Sequence, residues 1–351
     1  MKPVGAFPVI GGNGVRGYTD TYNFDGECAV IGRQGAACGN VRFHSGKAYM
    51  TEHAVVAVAN ESNNSQYLSY LLKTMRLGNL SGQSAQPGLS VKVLSQQAVS
   101  LPSLDSQRQT VAILGTLDRK IELNNRLNGY LEELFSLRFR EIFETGVESW
   151  TSASLLDIAD YKNGLAMQKY RPSKGDPGLP VLKIRELGQG YCGNDSERCS
   201  TDIDGSVTIE DGDLVFSWSG TLLLRFWAGG RAGLNQHLFK VTSEQYPSWF
   251  YYAWTKHHLA RFVMLAKDRA TTMGHIKRSA LAESSVVVPP TRILEQQTKL
   301  MQPIVDEIVS NMVENRRLAL LRDTLLPKLM SGEIDVSKVD LTQLNSHLAD
   351  C

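Results

Sequence analysis

Ala98-Val99-Ser100-Leu101-Pro102, then Gln107, then a helical pattern to about Glu144: this passage occurs almost twice in the chain. The second copy is Val286-Val287-Val288-Pro289-Pro290, then Gln296-Gln297, then a helical pattern to about Met330. Upstream of each lies a mixed, glycine-punctuated region of strand-like character. A repeat this long means two similar modules connected by helices. The expected fold is mixed α/β (α+β), with two similar domains joined by a long antiparallel helix pair of coiled-coil-like spacing.

The modules correspond in detail. Asp25-Gly26-Glu27 leads to Ala29-Val30-Ile31, a Gly32-Arg33-Gln34-Gly35 turn, and later His53. Asp211-Gly212-Asp213 leads to Leu214-Val215-Phe216, then Ser219-Gly220, and later His237. Gln83-Ser84-Ala85-Gln86-Pro87-Gly88 and Ala270-Thr271-Thr272-Met273-Gly274 then precede the proline by 14 and 15 residues. Chance does not supply this many matches in one order.

At 351 residues, two domains are expected. Hydrophobic content of 42% with 21% charged residues describes a globular protein without an apolar run long enough to span a bilayer. Met1-Lys2-Pro3 does not open a signal peptide, and the odd set of five cysteines has no framework spacing. Reduced thiols in a cytoplasm are expected. Net charge is +1, but it is unevenly spread. Residues 1–103 carry 8 basic and 5 acidic side chains and 150–290 carry 16 and 14, whereas 104–149 carry 6 and 8 and 291–351 carry 7 and 9. Positive modules and negative helices suit a nucleic-acid ligand, although a mixed solvated surface gives the same numbers.

On the first helix Leu114, Leu117, Ile121, Leu131, Phe135 and Ile142 fall on a 3-4 spacing, interrupted by Asn124 and Asn128. Met301, Val305, Ile308, Met312, Asn315 and Ala319 repeat it on the second. Such a narrow stripe wants another helix, and asparagine in the seam fixes register at some cost in stability. A run of about 36 residues is about 54 Å long, enough to hold two modules apart along a duplex. Gly332 is placed to cap the second helix, and the tail 335–351 is expected to be loose.

Several motifs resemble chemistry without completing it. Gly12-Asn13-Gly14-Val15-Arg16-Gly17 fits a dinucleotide pattern, yet Tyr18 to Gly26 has no helical period, so a hairpin is expected. Asp118-Arg119-Lys120 has the acid-x-lysine half of a nuclease site but no partner, and solvated charge is expected. Val288-Pro289-Pro290-Thr291 lacks the flanking residues of a base-flipping methyltransferase. Cys192 and Cys199 have no second pair for zinc. Trp218, Trp227 and Trp254 are expected in packing roles, and no P-loop occurs.

The ordered set Asn23-Phe24-Asp25-Gly26, Ile31-Gly32-Arg33-Gln34-Gly35, Ala85-Gln86-Pro87, Leu101-Pro102-Ser103-Leu104 with Gln107, and Leu117-Asp118-Arg119-Lys120-Ile121 resembles the specificity subunit of type I restriction-modification enzymes. Arg322-Asp323-Thr324-Leu325-Leu326-Pro327-Lys328-Leu329 with Gly332 resembles its closing segment. The resemblance spans nearly the whole chain. It implies two target-recognition domains, 1–103 and 150–290, a central spacer 104–149, a C-terminal spacer 291–334 and a tail 335–351. Each domain would read half of a split double-stranded DNA site. The helices would act as a ruler and as the docking surface for methyltransferase subunits, with restriction subunits in the full complex and no membrane contact. The chain itself would be non-catalytic and bind no cofactor or metal, S-adenosylmethionine, ATP and Mg belonging to the partners.

The second module opens with about 30 residues before Leu179-Pro180-Val181-Leu182, whereas six precede the similar Phe7-Pro8-Val9-Ile10. The first module is therefore expected to lack an opening segment. That makes a truncated or silent cassette with impaired first half-site recognition an alternative.

Base reading needs Arg for guanine, Asn or Gln for adenine, and Ser or Thr for either. The matching turns offer Arg33, Gln34, Asn40 and Arg42 in the first module and Ser217, Ser219, Arg231 and Asn235 in the second. The later turns add Gln83, Ser84 and Gln86, and Arg269, Thr271, Thr272 and Lys277. For each of these, ordinary turn chemistry is the competing reading. Two other functions stay open: a stand-alone nucleic-acid enzyme, for which no catalytic constellation is found, and a non-catalytic scaffold binding protein or glycan.

Overall fold

Gly12 and Asn13 make a two-residue turn between strands β1 (Phe7–Gly11) and β2 (Gly14–Thr19), with Gly14 at a φ of +102° that its lack of a Cβ permits. The glycine-rich opening is thus the expected hairpin. The computed structural model describes residues 5–81, 87–144, 149–268 and 274–339. These fall into two units, Met1–Lys120 with Leu318–Cys351, and Ile121–Arg317.

Unit 1 continues with β3 (Phe24–Gly32), β4 (Val41–Met50), β5 (Ala54–Ala57), helix α1 (Ser65–Thr74), the short α2 (Val91–Ser95) and the first part of α3 (Leu104–Phe143). Its sheet has the order β2-β1-β4-β3-β5, antiparallel except where β1 lies parallel to β4. Alternation along β3 sends Ala29 and Ile31 toward Leu72, Leu77 and Leu89, and Cys28 and Val30 toward Ile10, Ala48 and Met50. The central strand is therefore covered on both faces. Burial raises the Cys28 thiol to about 11, which keeps it protonated and inert.

Gln107 explains why glutamine follows the proline. Its side chain is fully buried, accepts the Asn64 N–H at 2.9 Å, and donates to Asn63 Oδ1 at 2.7 Å and Pro102 O at 2.9 Å. Asn64 in turn caps α1 by accepting from Tyr67 N. One glutamine thus fixes the start of α3 against the start of α1.

Unit 2 contains β6 (Thr151–Ser154), α4 (Leu155–Ile158), β7 (Asp160–Asn163), β8 (Leu179–Leu182), α5 (Ile184–Gln189), β9 (Arg198–Cys199), β10 (Thr208–Ile209) and β11 (Leu214–Ser217). It continues through β12 (Leu224–Phe226), β13 (Ala232–Leu234), β14 (Leu238–Thr242), α6 (Ser248–Asp268), α7 (Arg278–Ala282), β15 (Ser285–Val288) and part of α8 (Thr291–Met330). It forms two four-stranded sheets, β10-β13-β8-β9 and β12-β11-β14-β7, and a separate pair, β15-β6. The segment that opens this module supplies β6, α4 and β7, with β6 pairing β15 and β7 pairing β14. Helix α6 buries every residue from Trp249 to Thr255, as a helix with apolar side chains all round must.

Both long helices are 40 residues, and they pack antiparallel within each unit. In unit 2 the seam asparagines find one another: Asn124 donates to Asn315 Oδ1 at 3.0 Å and to Glu314, Asn128 donates to Ile308 O, and Asn311 donates to Asn128 Oδ1 at 2.9 Å. Amide pairs of this kind are satisfied in one register only. In unit 1 Leu114 packs with Leu329, and α8 ends at Gly332 with φ +76° and an Ile334 N–H to Lys328 O bond, the expected left-handed cap.

Three expectations need correction. Asp118 is not a solvated charge: it accepts from the buried Tyr70 hydroxyl at 2.6 Å and from Arg322 at 2.8 Å. Residues 335–339 are not loose, because Val336 is buried against Tyr70, Ile113 and Leu114; residues 340–351 lie outside the described residues. The counterpart of Gln107 is neither Gln296 nor Gln297 but Gln302, whose Oε1 accepts the Trp249 N–H at the start of α6.

Candidate nucleic-acid interface

Backbone hydrogen bonds build the same frame in each module. Arg33 N–H reaches His53 O in unit 1, and Trp218 N–H reaches His237 O in unit 2. Gly35 N–H bonds to Pro87 O and Gly220 N–H to Gly274 O, while Leu89 N–H bonds to Arg33 O and Ile276 N–H to Trp218 O. Gly35 at φ +67° and Gly220 at φ +63° are both left-handed, a turn that only glycine makes without strain. The bridges Gln34 with Gly88 and Ser219 with His275 complete the match. This corrects the alignment by one residue: Gly274 corresponds to Pro87, and His275 to Gly88.

In unit 1 the frame presents an open cleft lined by Gly12, Asn13, Arg16, Gln34, Gly35, His53, Pro87 and Gly88. Gln34 is exposed here, with its amide free of any bond to a described residue, and Arg33 lies beside it half-buried. The hairpin is drawn close: a Cβ on Gly12 would stand 2.9 Å from His53 O. Asn40 and Arg42 do not join this group. They face a neighbouring cleft with Lys73, Arg76 and Asn79.

In unit 2 the corresponding place is aromatic and already hydrogen-bonded. Trp218 donates from Nε1 to Asn163 Oδ1 at 3.0 Å, and its ring lies 6.0 Å from His237 and 6.3 Å from His275. Ser219 Oγ lies 3.1 Å from His237 Nδ1, and Gln236 Nε2 lies 3.4 Å from His237 Nε2. Three candidates are therefore corrected to supporting roles. Ser217 is fully buried and donates to Ser219 O, Ser219 is buried against His237, and buried Asn235 accepts the His237 N–H. They hold the histidine and do not present themselves to a base edge. Arg231 is exposed beside Glu210 at 3.8 Å, and Lys277 is exposed at the start of α7.

Gln83, Ser84, Gln86, Arg269, Thr271 and Thr272 lie outside the described residues. Sequence reasoning missed Asn13, Arg16, Trp218, Gln236 and His275 as site residues. The hairpin glycines and the histidine match were the signals available for them. No group of three or more potential metal ligands occurs among the described residues, and no described helix is long and apolar enough to cross a membrane.

Known proteins resemble this chain in domain sequence, in overall sequence and in fold. A family model described as a type I restriction modification DNA specificity domain matches residues 2–133. The EcoprrI specificity subunit of a type I restriction enzyme from Escherichia coli is 43% identical over 112 residues, a match covering 32% of this chain and 28% of that one, under a third of its length. The MjaIX specificity subunit from Methanocaldococcus jannaschii is 24% identical over 316 residues, covering 78% and 70%. The fold is that of the type I restriction-modification S subunit from M. genitalium, with a TM-score of 0.59 at 16% identity over 94% of this chain and 90% of that one.

Proposed function

We propose that this chain is a specificity subunit of a type I restriction-modification system and that each of its modules reads one half of a split double-stranded DNA site. The observation that carries this reading is the repeated backbone frame, which sets Arg33, Gln34 and His53 of one module at the positions of Trp218, Ser219 and His237 in the other, with His275 in the place of Gly88. Gln34 suits adenine and Arg33 or Arg16 suits guanine, whereas phosphate contacts would only position the modules. Different side chains on one frame give two half-sites of different sequence.

The long helices would dock methyltransferase subunits, with restriction subunits completing the complex. Support comes from α3, where Leu123, Leu127, Tyr130, Leu134 and Leu137 are all exposed at a 4-3-4-3 spacing. A heptad stripe left open to water is a seat for another helix. S-adenosylmethionine, ATP and Mg would be bound by those partners, and this chain would supply recognition alone.

The test is methylome sequencing of a host carrying the partner methyltransferase gene with this chain. A bipartite methylated motif that disappears when the chain is deleted supports the reading. Methylation that is unchanged without the chain contradicts it.

A further inference from the structure

The loop after β3 has two sides. Gln34 to Ala37 line the cleft described above, and Cys38 to Arg42 line the second cleft with Lys73, Arg76, Gly78 and Asn79. The floor of this second cleft is fixed by backbone contact: a Cβ on Gly39 would collide with Gly78 N. Arg76, at φ 49°, is the one non-glycine residue in the left-handed region among the described residues. Such a conformation is strained for a residue that carries a Cβ and persists where surroundings demand it. The lining holds three cationic side chains and no carboxylate. Burial pulls the Lys73 pKa down, with Arg42 and Arg322 pushing the same way against Asp118 and Asp323.

The repeat supplies a control for what these cations do. Arg42 sits opposite Val30 on the sheet, as Arg225 sits opposite Val215, one residue before the matched Ile31 and Phe216. Lys73 and Lys256 each lie eight residues into their helix. In unit 2 both cations are engaged: Arg225 donates to Gly188 O at 3.1 Å, and Lys256 to Glu132 at 2.7 Å. In unit 1 Lys73 lies over the Tyr70 ring at 5.2 Å, but neither the Arg42 nor the Arg76 side chain has a hydrogen-bond or ion-pair partner among the described residues.

We propose that the cleft between Arg42 and Arg76 binds a backbone phosphate of the DNA duplex, anchoring the first module by a contact that the second lacks. This rests on the DNA-recognition reading above. The shared loop places the phosphate seat directly beside the base-reading cleft, so one segment, 33–42, both positions and reads.

The experiment measures binding of the full chain, assembled with its methyltransferase subunits, to cognate and unrelated short duplexes across a salt series. Removing a single phosphate-binding cation lowers the slope of log K against log salt by about one. R42Q and R76Q should each do so, and equally for both duplexes, because phosphate contacts carry no sequence information. R42K should keep the wild-type slope, and R225Q should leave it unchanged. Arg42 is exposed and unbonded, so the melting temperature of R42Q should match wild type and exclude misfolding as the cause. If wild type binds duplex but both glutamine variants keep its slope, this inference fails and the recognition reading stands. If wild type binds neither duplex at any salt, the recognition reading fails and takes this inference with it. If R42Q abolishes calorimetric binding of inorganic phosphate yet leaves the duplex slope intact, the seat is for a free phosphate and the backbone assignment is overturned.

Discussion

Where the module of unit 2 meets the long helices, the contact is aromatic and apolar; where the module of unit 1 meets them, it is charged. In unit 2 Phe135, Phe139, Met301 and Val305 enter one core cluster with Trp249, Phe250, Tyr252 and Trp254 of α6. In unit 1 the corresponding place holds Tyr70, Asp118 and Arg322 joined by hydrogen bonds, over a small cluster of Ile113, Leu114, Leu329 and Val336. The sheets differ in the same sense. β7 covers the edge of β14 in unit 2, whereas β5 is an edge strand among the described residues of unit 1. One repeated plan is therefore held by volume in one copy and by directed polar bonds in the other. A large core tolerates small shifts; a Tyr-Asp-Arg chain is satisfied in a single arrangement.

This difference can be broken from either side. The largest effect is expected for F135A, which empties a fully buried aromatic site in unit 2 and should cost about 3–5 kcal/mol by denaturant unfolding. A loss below about 1 kcal/mol would mean that the aromatic seam does not hold the unit. D118A should cost about 2 kcal/mol, since it takes the acceptor from the buried Tyr70 hydroxyl and leaves Arg322 with Asp323 as its one carboxylate partner among the described residues. Hydrogen exchange should then rise in α1 and leave α6 unchanged; equal change in both would erase the contrast. N311A removes one amide of the seam and should cost about 1 kcal/mol, with N128L/N311L recovering it.

The smallest effect is on pH. His258 is held below its ordinary value mainly by burial and further by His257 and Arg261, against its bond to Ser285 O. Its folded pKa lies below the unfolded one, so protonation favours unfolding. That part of unit 2 stability is present above the unfolded value of about 6.5 and is lost as pH falls below it. A melting series from neutral to mildly acid pH should show the loss, and H258Q should flatten it.

The two-module plan, the hairpin, the helix caps and the asparagine seam were legible in the sequence, because periodicity, glycine and amide placement act locally. What was not legible depends on contacts far apart in the chain. Asp118 reads as a surface charge until α1 brings Tyr70 beside it. Ser217, Ser219 and Asn235 read as base-contact types, but the fold turns them inward to hold His237. Gln302 lies eleven residues into α8, where Gln107 lies three into α3, so spacing from the proline points to the wrong glutamine. Arg16 reaches the cleft only because the β1–β2 hairpin folds against His53, and His275 only through its long-range bridge to Ser219.

That frame underlies the central claim, that the modules read separate half-sites through side chains set on one repeated frame. The most direct measurement is methylome sequencing with Q34A in the first module and H275A in the second, each expressed with the partner methyltransferase. Q34A should relax one half of the bipartite motif and H275A the other, with each good base contact giving about 1–3 kcal/mol of discrimination. Both variants altering the same half, or neither altering the motif, would contradict the claim.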